Sequence, residues 1–334
     1  PNFTEVTYAG TMDDCSMDFK YTASVGRSDD ITRGIYKLKL KVNEDVDFSD
    51  FVVFQAAAAT YHFTTSRTLA WGNEEGLKEE WKATTGGESR YITAKQVAEG
   101  RVPWFSFTDG RFCTEHQESR FLPANRGIVI REWKSRINGK DHTPPWFAEY
   151  TTTSGNHGGP SSLINIIPPE GCTSFQAGDY IEAEIVLFIT PKYAEDYYGP
   201  NKNLHTALET KANTWELTFR EAIGNDLEVE CSEGQLLDSY PIKVETDKSK
   251  AQFTVSGGCG YVPLILTRVK DYRIPRLYRK VDGSWQIVDQ SVHGNDFWQA
   301  EFEAASGTWD ITYNLNLDTP GDERQIAEFR FDLE

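Results

Sequence analysis

The sequence predicts an all-β protein: a large antiparallel β-sandwich with short helices, followed by a smaller C-terminal β-sandwich. Three observations carry that expectation. Apolar and polar residues alternate with a period of two over long stretches, the pattern of a strand with one buried and one wetted face. Helical signals are few and short. No strand alternates with a helix of crossover length, as parallel βαβ units require.

The elements follow in order. Lys37-Leu38-Lys39-Leu40-Lys41-Val42 sets its apolar side chains on one face and its lysines on the other. A longer strand over 180–190 places Ile181, Ala183, Ile185, Leu187 and Ile189 on one side, with Glu182 and Glu184 opposite in solvent. The same alternation reads Trp215, Leu217 and Phe219 as the inward face of a third strand, against Glu216, Thr218 and Arg220. Further strands are expected around 51–56, 127–133, 146–152, 227–231, 251–255, 261–268, 308–316 and 326–332. Asp282-Gly283 lies between two strand-like segments and reads as a two-residue hairpin turn. Asn73 is expected to cap a short helix with Leu77 and Trp81 on one side and Glu74, Glu75, Glu79 and Glu80 on its solvated face. Thr93 is expected to cap a second that stops at Gly100, and a third is expected from about Leu204 to Lys211. A boundary at Gly224-Asn225-Asp226 divides the chain into a large domain, 1–223, and a smaller one, 224–334, whose short, evenly spaced strands suit a small sandwich.

Charge and composition narrow the function classes. The 334 residues carry 51 acidic and 34 basic side chains, a net charge of −17. Coating nucleic acid demands a basic footprint, so nucleic acid is not an expected partner. No run approaches the ~18 apolar residues of a membrane span. The five cysteines are an odd number with neither C-x-x-C nor zinc spacing. They fit a secreted protein with one or two bridges, or a reducing compartment with none. Beginning at Pro1, the chain reads as a mature product or as a piece of a larger polypeptide. There is no G-x-S-x-G, H-E-x-x-H, phosphate-binding G-x-x-x-x-G-K-[ST], EF-hand loop or dinucleotide fingerprint. These absences disfavour an α/β hydrolase, a zincin, a P-loop NTPase and a Rossmann enzyme.

Polar and aromatic loops remain as candidate sites. In Ser154-Gly155-Asn156-His157-Gly158-Gly159-Pro160, glycines on both sides let a ligand approach, and Asn156 with His157 can neutralise a carboxylate or move a proton. The segment from Pro191 to His205 gathers Tyr193, Tyr197, Tyr198, Lys202 and His205. Tyrosine hydroxyls beside cations act as acid or base, and their rings stack on sugar faces. The plainer alternative is that Tyr193 and Tyr197, four apart, staple one helical turn to the sheet. Gly294-Asn295-Asp296 offers ligands for a structural calcium, though the same tripeptide at Gly224-Asn225-Asp226 marks it equally as a turn. No other cofactor or metal is expected. Among the nine tryptophans, Trp215 is expected in the core, whereas Trp104 and Trp146, beside Pro103 and Pro145, are expected at the surface as platforms for a sugar. Acidic residues are too abundant for sequence to single out a glycosidase pair.

Long alternating strands, a Trp/Tyr/His-rich loop set and a smaller C-terminal sandwich together resemble the β-sandwich modules of carbohydrate-active enzymes. The closest parallel is the galactose-mutarotase-like supersandwich of polysaccharide lyases. This resemblance implies a secreted protein whose partner is a polysaccharide and whose reaction is β-elimination from a uronate-containing glycan. It assigns neutralisation of the uronate and proton abstraction to Asn156 and His157, and proton delivery to Tyr198 or Tyr197. Added positive charge falls to Arg220 or Lys202, and glycan contacts to Lys202, His205, Trp104 and Trp146. Many such lyases also carry a helical toroid, which this chain lacks. Two alternatives stand beside it: a non-catalytic glycan-binding or scaffold portion of a larger secreted enzyme, and a structural surface protein, which would present a free edge strand.

Overall fold

The computed structural model describes residues 3–26, 32–58, 67–83, 89–97, 99–108, 124–142, 147–154, 160–191, 194–197, 205–206, 208–209, 214–224, 226–258, 261–271, 275–288, 299–317 and 326–333. The first strands are β1 (Phe3–Thr11), β2 (Met17–Gly26), β3 (Thr32–Val42), β4 (Val46–Asp47), β5 (Phe54–Ala58), β6 (Arg67–Asn73), β7 (Gly76–Ala83) and β8 (Ser89–Ile92). There follow β9 (Trp104–Thr108), β10 (Ala124–Ile137), β11 (Lys140–His142), β12 (Phe147–Ser154), β13 (Pro160–Ile167), β14 (Ser174–Phe175) and β15 (Tyr180–Pro191). The later strands are β16 (Glu228–Glu233), β17 (Gln235–Ser239), β18 (Ile242–Glu245), β19 (Ala251–Ser256) and β20 (Tyr261–Val269). The last are β21 (Pro275–Val281), β22 (Ser284–Ile287), β23 (Gln299–Glu303), β24 (Thr308–Asn316) and β25 (Ile326–Leu333). The helices include α1 (Ala94–Val97) and α2 (Thr214–Gly224), and residues 205–206 and 208–209 are helical too, within the span where a third short helix was expected.

The fold is all-β. A nine-stranded sheet runs β1-β2-β3-β15-β10-β9-β6-β7, with β11 hydrogen-bonded to β10. One of its faces carries Leu40, Ile128, Ile130, Ile181 and Ile185, which pack with Ala56, Ile92, Ile164 and Ile166 of the four-stranded sheet β5-β13-β12-β8. The opposite face carries Ile35, Val129, Val186 and Phe188, which join a core with Leu217 and Ala222 of α2 and with the C-terminal strands. Those strands form two five-stranded sheets, β16-β19-β25-β21-β22 and β17-β18-β20-β24-β23, enclosing Val244, Phe253, Leu264, Leu266, Tyr313, Phe329 and Phe331. Pairing is antiparallel except between β18 and β20.

Several expected elements stand. β3 and β15 are strands as read, although β15 is buried on both faces at Ala183–Val186 and exposes Ile189, and Asp282 and Gly283 take φ of 49° and 78° in the β21–β22 turn. Thr93 caps α1 reciprocally: its Oγ1 accepts the Gln96 N–H at 3.2 Å, and Gln96 Oε1 accepts the Thr93 N–H at 3.1 Å. The helix ends at Val97, before Gly100.

Two expectations are corrected. The segment from Asn73 is a hairpin, not a helix: Asn73 Oδ1 accepts the Glu75 N–H at 2.9 Å, and Asn73 pairs with Gly76, whose φ is +128°. Asn at such a position serves a helix cap or a side-chain-closed turn equally, and glycine decides for the turn. Residues 214–224 form α2, not a strand. Its buried side chains are Leu217, Thr218, Glu221 and Ala222, a helical spacing that the Trp215, Leu217, Phe219 alternation masks. Asn213-Thr214-Trp215-Glu216 has the spacing of a capping box, the sequence signal that favours helix here.

Candidate functional site

Strand register arranges a lattice of charge on one end of the face that elsewhere joins the C-terminal core. Lys39 lies opposite Glu182, and Lys37 opposite Glu184. Lys134 and Glu132 of β10 continue these rows on the other side of β15. Opposite charges facing across a ladder stabilise it, so the alternating lysines of β3 and glutamates of β15 are mutual partners. A β-bulge in β10 between Ile130 and Glu132 leaves Arg131 as the extra residue. Without it, Ile130 inward and Trp133 inward would conflict with period two; with it, Arg131 joins Glu132 on the charged face.

Two buried ion pairs anchor this region. Arg33 of β3 forks onto Glu221 of α2, Nε to Oε2 at 2.9 Å and Nη2 to Oε1 at 2.7 Å, with side chains 8% and 5% exposed. Arg131 Nη1 donates to Glu184 Oε1, and both side chains are 6% exposed. The Arg131 guanidinium also lies 4.4 Å from the centre of the buried Tyr240 ring and 3.4 Å from Ser239 Oγ. Lys37 Nζ reaches Glu184 Oε2 at 3.2 Å and pairs with Asp238. Burial raises the Glu184 carboxyl above its ordinary range, while Arg131 and Lys37 pull it back. Burial opposes charge on Lys37, but Glu184 and Asp238 outweigh it and hold the ammonium on. Burial pushes the Tyr240 phenol far up, so it stays neutral. The expectation that Glu184 is solvated is therefore corrected: the β17–β18 segment closes over it.

Between this charged sheet end and β17 opens a groove of about 1080 Å³. Five cations line it (Lys37, Lys39, Arg101, Arg131, Lys134), with four carboxylates (Glu132, Glu182, Glu184, Asp238) and the backbone from Leu236 to Ser239. Its floor pairs are buried; its rim pairs are wet. Lys39 and Glu182 are 3.7 Å apart with side chains 64% and 44% exposed, and Arg101, 66% exposed, pairs with Asp226. Lys134 Nζ lies 5.5 Å from the Tyr180 ring centre. Glu74, expected on a solvated helix face, instead accepts the N–H groups of Arg101 and Val102 at 2.9–3.0 Å. Burial opposes its ionisation, yet those N–H groups hold its carboxyl below the usual range.

The residues singled out from sequence fare differently. His157, Asn156, Tyr198, Lys202, Trp146, Tyr193 and the Gly294-Asn295-Asp296 tripeptide lie outside the described residues. Tyr197 is buried, with its ring centre 6.5 Å from that of His205. His205 is partly exposed, its Nδ1 3.5 Å from Glu209 Oε1. Arg220 is half-buried on α2. Trp104, expected at the surface, is 0% exposed: its indole N–H donates to the Asn73 carbonyl at 2.9 Å and its ring stacks with Trp215. Pro103 immediately precedes the central strand β9, so the neighbouring proline did not mark an exposed turn. Trp215 packs half-buried against the core, on a helix. Cys15, Cys172 and Cys231 are free thiols, and burial raises the last two above their ordinary range. Among the described residues, no His/Cys/Asp/Glu cluster has metal-holding geometry, and no helix is long and apolar enough to cross a membrane.

No protein-family model and no curated protein sequence matches this chain. Among solved structures it is similar to the galactosidase domain of an α-galactosidase–sucrose kinase, at 6% identity and TM-score 0.34, over 61% of this chain and 28% of that one. A GH36 α-galactosidase from Geobacillus stearothermophilus shows 8% identity and TM-score 0.31, over 63% and 26%. A polysaccharide lyase shows 9% identity and TM-score 0.22, over 99% and 38%. These neighbours are carbohydrate-active enzymes; likeness at this level carries no argument about function. The chain spans between 26% and 38% of the solved chains named here.

Proposed function

We propose that this chain is a carbohydrate-active β-sandwich, divided at about residue 224, whose charged groove binds an acidic polysaccharide. One observation carries the reading: on a chain of net charge −17, five cations converge in one groove, three of them at a wet rim. Exposed ion pairs contribute about 0–1 kcal/mol, so a uronate carboxylate can replace Glu182 or Asp226 beside Lys39 or Arg101 at little cost. The buried pairs beneath keep the groove in shape. A catalytic form of the proposal adds β-elimination, with Asn156 and His157 neutralising the uronate and taking the proton, and Tyr197 or Tyr198 protonating the departing oxygen. The non-catalytic form has its own support in the groove, where the buried carboxylate Glu184 is already engaged by two cations.

Affinity electrophoresis in alginate, polygalacturonate, ulvan and a neutral galactomannan tests the binding. Retardation by the acidic polymers alone is expected, with a Lys39→Glu/Lys134→Glu double variant weakened about tenfold at low salt. Equal retardation by the neutral polymer overturns the reading. Ultraviolet absorbance of unsaturated ends, followed in the same mixtures, separates lyase from binding protein.

A further inference from the structure

Among the described residues β1 is the outer edge of the nine-stranded sheet, and it is exposed along nearly its whole length. Its register with β2 runs from Phe3↔Gly26 to Thr11↔Asp18 without a bulge. It holds no lysine, arginine or proline, and Glu5 is its one charge, so the edge is lightly guarded against pairing. The Met12 N–H donates to the Met17 carbonyl at 2.9 Å, which sets the phase of the ladder. Even-numbered residues of β1 bond to β2, so Glu5, Thr7 and Ala9 aim their N–H and C=O groups away from the sheet. Phe3 follows the same phase, its N–H donating outward to Gln299 Oε1 at 3.4 Å. Val6 and Tyr8, 43% and 60% exposed, lie on the face they share with Tyr21 and Ala23.

The geometry points to a second copy of this chain as the partner of β1, paired antiparallel about a two-fold axis at Thr7. Centring on Thr7 sets odd residues opposite odd residues along the full strand, as the outward groups require. Thr7 then faces Thr7 of the second copy, extending the Thr7–Thr22 hydroxyl contact of 2.9 Å into a ladder. Glu5 faces Ala9 of the second copy, and the three central pairs supply roughly six main-chain hydrogen bonds. On the other face Val6 meets Tyr8. Charge complements this register. Lys20 lies between Ala9 and Lys39 in its row, is exposed, and makes no ion pair among the described residues. Glu5 of the second copy, reached across the Ala9 methyl, gives Lys20 a counter-charge. The C-terminal sandwich abuts the Phe3–Gly26 end of the edge, where Gly26 adjoins Pro263, so the two-fold axis sends the two C-terminal units to opposite ends. The net charge of −17 opposes association at long range, and salt relieves that repulsion.

Sedimentation velocity of the full chain across concentration and salt tests this. A monomer–dimer equilibrium is expected that tightens between about 0.01 and 0.15 M salt, as the screening length falls from ~30 to ~8 Å. Ala9→Glu places a carboxylate opposite Lys20 within its own chain, so the monomer keeps its fold by circular dichroism. In the dimer the new carboxylate faces Glu5 at two symmetric contacts, raising the dissociation constant about tenfold. Adding Glu5→Lys restores association. A wild-type chain that stays monomeric throughout overturns the inference, as does a dimer indifferent to Ala9→Glu or not rescued by Glu5→Lys.

Discussion

Two sets of ion pairs on and beside one sheet face do different work. Arg33–Glu221 and Arg131–Glu184 are buried, held in forked or multiply bonded geometry, and sit where α2 and the β17–β18 segment cover the sheet. Lys39–Glu182 and Arg101–Asp226 use the same chemistry but stand in water at the groove rim. The difference lies in what covers them. Along β3 the outward residues run from Arg33 and Ile35 to Lys37, Lys39 and Lys41, and cover ends where the lysines begin. Buried pairs fix how the layers meet; wet pairs are exchangeable and suit a ligand.

The comparison breaks most sharply at Arg33. Arg33→Met leaves Glu221 buried without its partner and is expected to cost about 3–5 kcal/mol in denaturant unfolding, whereas Arg33→Met/Glu221→Leu regains most of it. A loss below about 1 kcal/mol for the single variant would place this pair with the wet ones. Two carboxylates sharpen the contrast through pH. Glu74 has a folded pKa below its unfolded value, so its contribution, about 1–2 kcal/mol from charge-assisted bonds, is present above the ordinary value of 4.5 and fades as pH falls through the folded value. Glu184 has the opposite sign: its contribution is present below 4.5 and is lost as pH rises through the raised folded value. Relative to wild type, Glu74→Gln is therefore expected to worsen, and Glu184→Gln to improve, from pH 4 to pH 7 in thermal melts. Parallel trends would refute the distinction. The smallest effect is expected at the rim, where Lys39→Ala changes stability by about 0–0.5 kcal/mol while weakening retardation by acidic glycans.

Much of the fold was legible because strand period reports facing directly. Lys37 to Val42 gave a strand and its buried side, Ile181 to Ile189 gave a strand whose second face is buried as well, and Asp282-Gly283 gave its turn. Two local signals misled because they are shared between structures: Asn73 suits a helix cap and a side-chain-closed turn, and Trp215, Leu217 and Phe219 satisfy period two over a span too short to exclude a helix. The groove was harder. Its members come from β3, β10, β15 and β17, and only tertiary packing gathers them. One clue was present, since the lysines of β3 and the glutamates of β15 alternate with opposite sign and so predict each other as neighbours. Nothing local marked Arg131 or Asp238, whose meaning comes from the segment that closes over Glu184. The loop residues on which the lyase reading rests, His157 and Tyr198 foremost, remain proposals outside the described residues.

The supernumerary position in β10 has an evolutionary corollary. Side chains on either side of Arg131 keep their facing whether or not that residue is present, because its removal simply restores regular alternation between Ile130 and Glu132. A single-codon deletion there would erase a cation beneath the groove without turning any neighbouring residue inside out, so its cost falls on buried Glu184, left with Lys37 as its cation, rather than on strand register.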